Sequence, residues 1–474
     1  MMMSNPASQT TIPKTSYRSL VWVAGHFITL LLFQFIAMRR ASFFPGQFSD
    51  FAYCYASINL ALAFTLVGLH GALMRYLAIY AAQQDRNRCM TLIFQGLTIK
   101  MVLLLLAAIG LWLYLRLFGG GIDIQTIFWA CFLLVAQGIF LLFQAIFRGL
   151  QRYEMVFIGA LFLFVAYVVE TDSLSELFCM ITMGYLLSAC VYGLALVIWN
   201  RKMSTGSSLP SFSPSNVVSW RELIRFSLLL SIGALFVLAF DNCPIILLKD
   251  VYSESTYQLL SFTFLLTLYP ARLNAMGEAL ILPKMSTTLH SQGIIQAGEF
   301  FAKWEKRLHL ISFMVVLPLV ILIKPFIGYF FSQELSKASF FASILLLGQF
   351  SRLILPVMTS VFVAAGKPYL STFSTGLKLA VDLIIIFLLR HHSPEVLIVA
   401  LLFSWLLFGQ LNYWLACKVL SKPRRPDWVP IIATTGGMVL LYMPFASLFM
   451  WMALGFVLIY VNDRKWRLDR NNLL

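Results

Sequence analysis

The sequence predicts an all-α polytopic membrane protein with about fourteen transmembrane helices. Three observations support this fold class. The 474 residues are 60% hydrophobic and only 12% charged, whereas soluble chains are roughly half apolar and about a quarter charged. The apolar residues gather into runs of about 20 residues, the length that spans a bilayer as a helix. Finally, the segments between the runs are short and leave no room for an external domain.

Fourteen apolar runs follow one another along the chain. The first six are Leu20–Met38, Phe51–Ile79, Met90–Leu115, Ile124–Phe147, Met155–Val169 and Leu177–Trp199. The next six are Leu223–Leu247, Tyr257–Leu282, Leu308–Phe331, Phe340–Ala365, Leu370–Leu389 and Val396–Val419. A shorter pair closes the series, Val429–Tyr442 and Phe445–Val461. Because no cleavage site of small residues follows the first run, we expect it to remain a helix rather than act as a signal peptide.

Basic residues alternate between the segments that join the runs. If the N-terminus is cytoplasmic, Lys and Arg favour the inside segments by about four to one. The positive-inside rule therefore predicts that both termini are cytoplasmic and that the number of spans is even. This bias also accounts for the formal net charge of +15, so a nucleic-acid partner is not expected.

The runs divide into two six-helix lobes and a terminal helix pair. We expect an N-terminal lobe over residues 1–210, a C-terminal lobe over 211–420, and the pair with its cytoplasmic tail over 421–474. The Ser- and Pro-rich segment Asn200–Trp220 is typical of a linker. The exits of the fourth run in each lobe, at Arg148–Gly149 and Gly366–Lys367, indicate a parallel repeat. The segment Lys284–Arg307 has the pattern of an amphipathic interfacial helix.

Ionisable side chains inside the runs are the candidates for function, since each costs a few kcal/mol at the bilayer centre. Cations outnumber acids among them, which favours an anionic passenger such as a phosphate-linked lipid. The candidate cavity cations are Arg39, Arg40, Arg75, Lys100, Arg272 and Arg352, and the candidate coupling acids are Asp241 and Glu278.

For some ionisable side chains in the runs, a structural role is the alternative to a functional one. Arg75, Lys378 and Asp382 lie near run ends, where side chains reach headgroups. Lys378 and Asp382 are also four residues apart, so they can pair on one helix face. His26 and His70 are candidates for proton relay, but a histidine inside a helix bundle more often serves as a hydrogen-bonding residue.

No enzymatic, metal or cofactor motif occurs in the chain. HExxH, GxSxG and phosphate-binding glycine loops are missing, and the seven cysteines form no CxxC pair. A polymerase or glycosyltransferase acting on lipid-linked sugar would need catalytic groups on sizeable outer loops. We therefore expect no cofactor and no enzyme activity.

Two stretches resemble the polysaccharide transporter family, which includes the O-antigen and exopolysaccharide repeat-unit flippases. The second run contains Val67–Gly68–Leu69–His70–Gly71–Ala72–Leu73–Met74–Arg75–Tyr76 before Asp85–Arg86, and the fourth exits at Arg148–Gly149–Leu150–Gln151–Arg152–Tyr153. Ala365–Gly366–Lys367 is similar in the second lobe. The resemblance implies membership of the superfamily that also holds multidrug exporters and lipid II flippases.

The resemblance further implies two bundles around a cavity that alternates between the membrane faces. It implies a substrate of undecaprenyl pyrophosphate bearing an oligosaccharide, held by cavity arginines such as Arg272, with Arg39, Arg40 and Arg75 as companions. The expected setting is the bacterial inner membrane, with membrane lipids and a polysaccharide polymerase or export machinery as partners in lipopolysaccharide or exopolysaccharide biosynthesis. The alternative is a cation-coupled exporter of drugs or other amphiphiles, in which Asp241 or Glu278 would be essential.

Overall fold

The computed structural model describes residues 17–44, 47–65, 68–82, 85–168, 170–204, 218–421 and 427–440, and these residues contain no strand. The first half (17–204) comprises α1 Tyr17–Ala41, α2 Phe48–Phe64, α3 Gly68–Ala82, α4 Arg86–Phe118, α5 Ile124–Gly149, α6 Tyr153–Leu161, a 3₁₀ segment Phe162–Val168, and α7 Leu174–Ser204. The second half (218–440) comprises α8 Trp220–Leu247, α9 Glu254–Phe330, a 3₁₀ segment Gln333–Lys337, α10 Ala338–Arg352, α11 Leu355–Ala364, α12 Tyr369–Leu389, α13 Pro394–Val419 and α14 Trp428–Leu440.

The all-α membrane architecture predicted from the sequence is confirmed. Within the described residues, eight helices are long and apolar enough to cross a membrane, or nine if the bent pair α2–α3 forms one span. Large apolar side chains such as Leu105, Leu106 and Phe387 are about two-thirds exposed on the bundle surface, as expected where a helix faces lipid. Thirteen predicted runs coincide with these helices, and the last, Phe445–Val461, lies outside the described residues.

Side-chain caps fix where several of these helices begin. Asp85 accepts a hydrogen bond from the backbone N–H of Arg88 at 3.0 Å at the start of α4. Asp123 caps α5 in the same way, and Ser219 caps α8 through the N–H of Glu222 at 3.2 Å. Such caps satisfy the free N–H groups of a first turn. They place the acidic and hydroxyl residues of the loops at helix ends rather than within the bundle.

Several of the predicted runs form bent or broken helices rather than single straight ones. The helices α2 and α3 meet at a 51° bend, and α10 gives way to α11 at residues 353–354. The predicted interfacial segment Lys284–Arg307 is helical on both sides of a break at Gly293, where two helices meet within α9. The bend within α9 lies at Gly293, whose φ of 85° and ψ of −179° favour a residue without Cβ.

The exits of α5 and α11 carry the same backbone turn. Arg152 N–H donates to Phe147 O at 2.8 Å, and Lys367 N–H donates to Phe362 O at 2.8 Å. Gln151 and Gly366 both have left-handed φ, 56° and 68°, as in a Schellman motif. The structural match therefore pairs Gly366 with Gln151, so the sequence-based pairing of Gly366 with Gly149 is wrong by two residues.

The two halves contact each other along α8, which packs against α2 and α3. We call the end of the bundle with Ser42, Gly119, Leu248 and Phe331 the predicted outer end, and the end with Asp85, Gln151, Gly293 and Gly366 the predicted inner end. Near the middle, Gly68 N–H donates to Ser231 Oγ at 2.9 Å across the halves. At the predicted inner end, Val218 N–H donates to the Tyr80 hydroxyl at 3.2 Å. The seam between the halves is therefore bonded along its length on this side of the bundle.

Candidate functional site

A cavity lies between α1, α2 and α7 of the first half and α9 of the second, with about 450 Å³ of empty space when the open solvent at its mouth is included. Its wall is mainly apolar and contains Phe33, Phe51 and Leu265. The polar groups on it are Gln34 and Tyr55, and Gln34 Nε2 donates to the Tyr55 hydroxyl at 3.0 Å. Such a wall suits an amphiphilic molecule better than a hydrated ion, because it offers few groups to replace a hydration shell.

Contacts between the halves close this region at the predicted outer end. Arg39 Nε donates to the Phe330 carbonyl oxygen at 3.1 Å. The Phe35 ring centroid lies 5.5 Å from that of Phe326 and 5.4 Å from that of Phe331. Aromatic pairs at these separations attract one another and exclude water. Arg39, a predicted cavity cation, therefore lies in the closing contact between α1 and α9.

A second closing contact joins α8 to the first half. Lys249 Nζ lies 3.3 Å from the Asp50 carboxylate and donates to the Gly119 carbonyl oxygen at 2.6 Å. It also lies 4.1 Å from the Tyr53 ring centroid. This cluster of Lys249, Asp50, Gly119 and Tyr53, which we call the outer latch, holds the start of α2, the end of α4 and the end of α8 together.

Lys100 is the buried cation of the first half. It is 1% exposed, and its ammonium donates to the backbone oxygen of Thr65 at 3.0 Å and to the Thr65 hydroxyl at 2.6 Å. Thr65 lies at the bend between α2 and α3, so the ammonium holds a carbonyl that the break in the helix leaves free. Both partners are neutral oxygens, and the buried positive charge is not cancelled by them.

Other polar side chains of the first half gather near Arg148, at the end of α5. The charge of Arg148 acts on both His26 and His70, and its guanidinium lies 5.9 Å from the Phe27 ring centroid. Gln144 is beside His26, yet neither ring nitrogen of His26 makes a hydrogen bond of ordinary geometry within the described residues. The sequence predicts Arg148 only at the exit of the fourth run, whereas in the structure its charge acts on two histidines inside the bundle.

The second half buries its charges as pairs. Arg352 Nη2 on α10 contacts both carboxylate oxygens of Asp241 on α8, at 2.7 and 2.8 Å. Lys378 pairs with Asp382 one turn further along α12, as their spacing predicts, and the Ser404 hydroxyl on α13 donates to the Asp382 carboxylate. All four ionised groups are nearly buried. We call Asp241, Arg352, Lys378 and Asp382 the buried tetrad; its formal charges cancel.

Two aromatic rings join the pairs of the tetrad. The Arg352 guanidinium lies 5.1 Å from the Phe240 ring centroid and 4.9 Å from that of Trp405. Lys378 Nζ lies 4.7 and 5.2 Å from the same two centroids. Cations over ring faces are stabilised by the ring quadrupole. The tetrad and its rings thus connect α8, α10, α12 and α13 into one network, of which the sequence patterns predicted only the Lys378–Asp382 contact.

The tetrad borders a smaller cavity, with about 320 Å³ of empty space when open solvent is included. Asp241 and Asp382 line it together with Phe264, Leu345 and Trp405. Leu268 lines both this cavity and the larger one between the halves. The carboxylates of the tetrad are therefore separated from the larger cavity by little more than one layer of side chains.

The remaining predicted site residues are placed apart from these groups or lie outside the described side chains. Arg75 is exposed on α3, 5.7 Å from the Tyr76 ring centroid. Arg40 Nη1 donates to Met180 Sδ at 3.2 Å in the first half. Arg272 and Glu278 belong to α9, but their side chains are outside the described part of the structure. Of the predicted set, the structure brings Asp241 and Arg352 together.

No protein-family model matches the sequence, and no curated protein matches it. Solved structures do share the fold. One, described as an inward-facing conformation of a multidrug resistance MATE family transporter of the MOP superfamily, is 11% identical, covers 85% of this chain and 98% of its own, and has a TM-score of 0.67. An outward-facing conformation of such a transporter is 12% identical, covers 85% and 96%, and has a TM-score of 0.59.

A third similar structure differs in the character of its site. It is a MOP superfamily transporter from Pyrococcus furiosus, described as having a binding pocket of reverse polarity, and is 12% identical over 85% of this chain and 96% of its own, with a TM-score of 0.55. The low identities limit the similarity to the fold.

Proposed function

We propose that this protein is a transporter that moves an amphiphilic solute across the membrane by alternating access of its two halves. The cavity between the halves carries this proposal, because it is mainly apolar and adjoins the contacts that close the predicted outer end. Rocking of two repeat-related bundles about such a cavity is a common transport mechanism. The higher TM-score to an inward-facing structure than to an outward-facing one supports an inward-open assignment for this conformation.

The charge distribution favours a substrate with an anionic group. All seven acids between residues 17 and 204 lie in loops or in the first turns of helices, whereas Lys100 is buried inside the first half. A buried ammonium with neutral partners attracts an anion strongly, since the low dielectric of the interior screens it poorly. An amphiphile with a carboxylate, sulfonate or phosphate head would place its tail in the apolar cavity and its charge toward this half.

Two substrate classes fit this description, and the structural comparisons favour the first. The similar solved structures are described as multidrug transporters, which favours an exporter of free amphiphiles. The second class is undecaprenyl-pyrophosphate-linked oligosaccharide, supported by the family-like stretches around Arg75 and Arg148 and by the interior cations. Under that second proposal the protein works in a bacterial inner membrane, beside a polysaccharide polymerase or export machinery.

Coupling of transport to a cation through Asp241 would require the contact between Asp241 and Arg352 to rearrange. The carboxylate already contacts Arg352 at two oxygens, so an entering proton or metal cation would compete with a guanidinium for it. If this competition drives transport, Asp241→Asn abolishes uptake driven by an ion gradient while leaving equilibrium substrate binding intact. If Asp241 is only structural, the same variant lowers the amount of folded protein and the specific transport rate per folded molecule stays unchanged.

The direct test is uptake into proteoliposomes that contain the purified full chain. We expect a fluorescent anionic amphiphile to enter faster than a cationic analogue of the same tail. Lys100→Met should reduce that preference at least about tenfold, because it removes the buried cation of the first half. Arg116→Met is the matched control, since Arg116 is an exposed cation on the same helix. Equal entry of both analogues would contradict the anionic preference.

A deletion strain separates the two substrate classes. Loss of surface polysaccharide with lipid-linked units accumulating on the inner leaflet would establish the flippase. Unchanged polysaccharide together with increased sensitivity to amphiphilic toxins would establish the exporter. The proposal of a transporter fails altogether if neither phenotype appears and the proteoliposomes take up no amphiphile of either charge.

A further inference from the structure

Three potential metal ligands meet at the predicted inner end of the second half, away from the cavities described above. Glu305 and His309 lie four residues apart on α9, and Asp427 immediately precedes α14. His309 Nε2 is 3.2 Å from Asp427 Oδ2 and 4.0 Å from Glu305 Oε1. One ligand atom from each residue lies within 4.8 Å of the other two.

We propose that Glu305, His309 and Asp427 form a binding site for a divalent first-row transition-metal cation that fastens α14 to α9. An imidazole with two carboxylates is a donor set that suits Zn²⁺ and its neighbours, whereas Mg²⁺ and Ca²⁺ prefer oxygen ligands alone. Ligand atoms about 2.0–2.2 Å from a shared metal are separated by about 3–4 Å. The two measured separations from His309 fall within that range.

Burial and charge support the site. The three side chains are 4–12% exposed, and with a neutral imidazole they bury two negative charges. Lys306 and Arg307, which follow Glu305 on α9, are exposed. Carboxylates are costly to hold away from water, and a divalent cation between them would lower that cost.

Neighbouring groups orient the Asp427 ligand. Neither His309 Nε2 nor Asp427 Oδ2 makes a hydrogen bond of ordinary geometry within the described residues, although both atoms are buried. Gln410 on α13 holds the backbone of Asp427 at both groups, donating to its carbonyl oxygen at 2.6 Å and accepting from its N–H at 2.9 Å. Asp427 Oδ1 accepts from Val429 N–H at 3.2 Å, which leaves Oδ2 for the metal.

A fourth ligand position is also supplied. The Tyr413 hydroxyl on α13 lies close to the Glu305 carboxylate and therefore beside the site. Tetrahedral coordination would be completed by this hydroxyl or by a water molecule. Because the ligands come from α9 and from the residue before α14, the cation would hold the last described helix against the second half.

The test uses the full chain purified in detergent, stripped with EDTA and then equilibrated with Zn²⁺ or Co²⁺. We expect about one equivalent of metal per chain by elemental analysis, a visible Co²⁺ band of low-symmetry coordination, and a higher Tm with Zn²⁺ than with EDTA. His309→Ala and Asp427→Asn should lose the band and the Tm shift. His290→Ala is the matched control, an exposed histidine on the same helix.

Two results would overturn the site. One is a folded wild-type chain, with a cooperative thermal transition, that binds no metal above the level of the His309→Ala variant. The other is metal that remains bound in Asp427→Asn and His309→Ala but is lost in His290→Ala. In either case the three residues would be a buried imidazole–carboxylate contact, and transport activity, measured separately, would not bear on the result.

Discussion

The two halves bury positive charge in different ways. In the first half, Lys100 contacts only the neutral oxygens of Thr65. In the second half, Arg352 and Lys378 each contact a carboxylate, and the buried tetrad has no net charge. The first half therefore buries a cation that contacts only neutral oxygens, whereas the paired charges of the second half connect four helices. On the proposed function, substrate recognition belongs to the first half and structural integrity to the second.

Removing the Arg352 charge should have the largest effect on stability. Arg352→Met leaves Asp241 buried without its partner, and breaking a buried pair costs about 3–5 kcal/mol. We expect a correspondingly lower free energy of unfolding in detergent, measured with a denaturant that permits reversible unfolding. The double variant Asp241→Asn with Arg352→Met should recover most of the loss, because it leaves no unpaired charge. If the double variant is as unstable as the single one, the pair is not the source of the effect.

Removing the Lys100 charge should affect transport more than stability. Lys100→Met removes the cost of burying an ammonium, but it also deprives Thr65 of two donated hydrogen bonds. These two contributions to the free energy of unfolding oppose each other. We expect the free energy of unfolding to change by no more than about 1 kcal/mol, with transport of an anionic amphiphile reduced about tenfold or more. A loss of stability as large as that of Arg352→Met would erase the distinction between the halves.

The contrast between the halves could be predicted only in part from the sequence. Run length and composition predict the helices, because a bilayer requires about 20 apolar residues and internal backbone hydrogen bonds. The four-residue spacing predicts the Lys378–Asp382 pair. The Asp241–Arg352 pair joins residues 111 positions apart, and no local periodicity encodes which helices become neighbours. The same reason explains why Arg148, Trp405 and the Glu305–His309–Asp427 group were not anticipated.

The outer latch tests whether the halves move relative to each other. Lys249→Met removes the ion pair with Asp50 and the bond to Gly119, but Asp50 is about one-third exposed, so we expect only about 1 kcal/mol. That energy shifts an equilibrium between closed and open outer ends about fivefold.

The test is the reaction of a cysteine introduced at Gln34, which lines the cavity, with a membrane-impermeant maleimide added from the outer face. In the Lys249→Met variant this cysteine should react about fivefold faster. Arg116→Met serves as the control. An unchanged labelling rate in Lys249→Met would show that the outer latch does not hold the outer end closed.

The smallest effect concerns the repeated turn at the exits of α5 and α11. Gly366 has φ +68° and no atom within 4 Å of an added Cβ, so Gly366→Ala introduces backbone strain without a clash. We expect a loss of about 1 kcal/mol, the cost of a left-handed residue with a Cβ. Gln151→Gly at the equivalent position should gain somewhat less stability than this, since glycine also raises the entropy of the unfolded chain.

Gly110→Ala is the control, because Gly110 is equally free of neighbours but helical. At that position alanine should stabilise the protein by about 0.5–1 kcal/mol. Opposite signs of the stability change in Gly366→Ala and Gly110→Ala would confirm that the turn, and not packing, requires glycine at the exit of α11. Gln151 would then be the strained residue of the two equivalent turns.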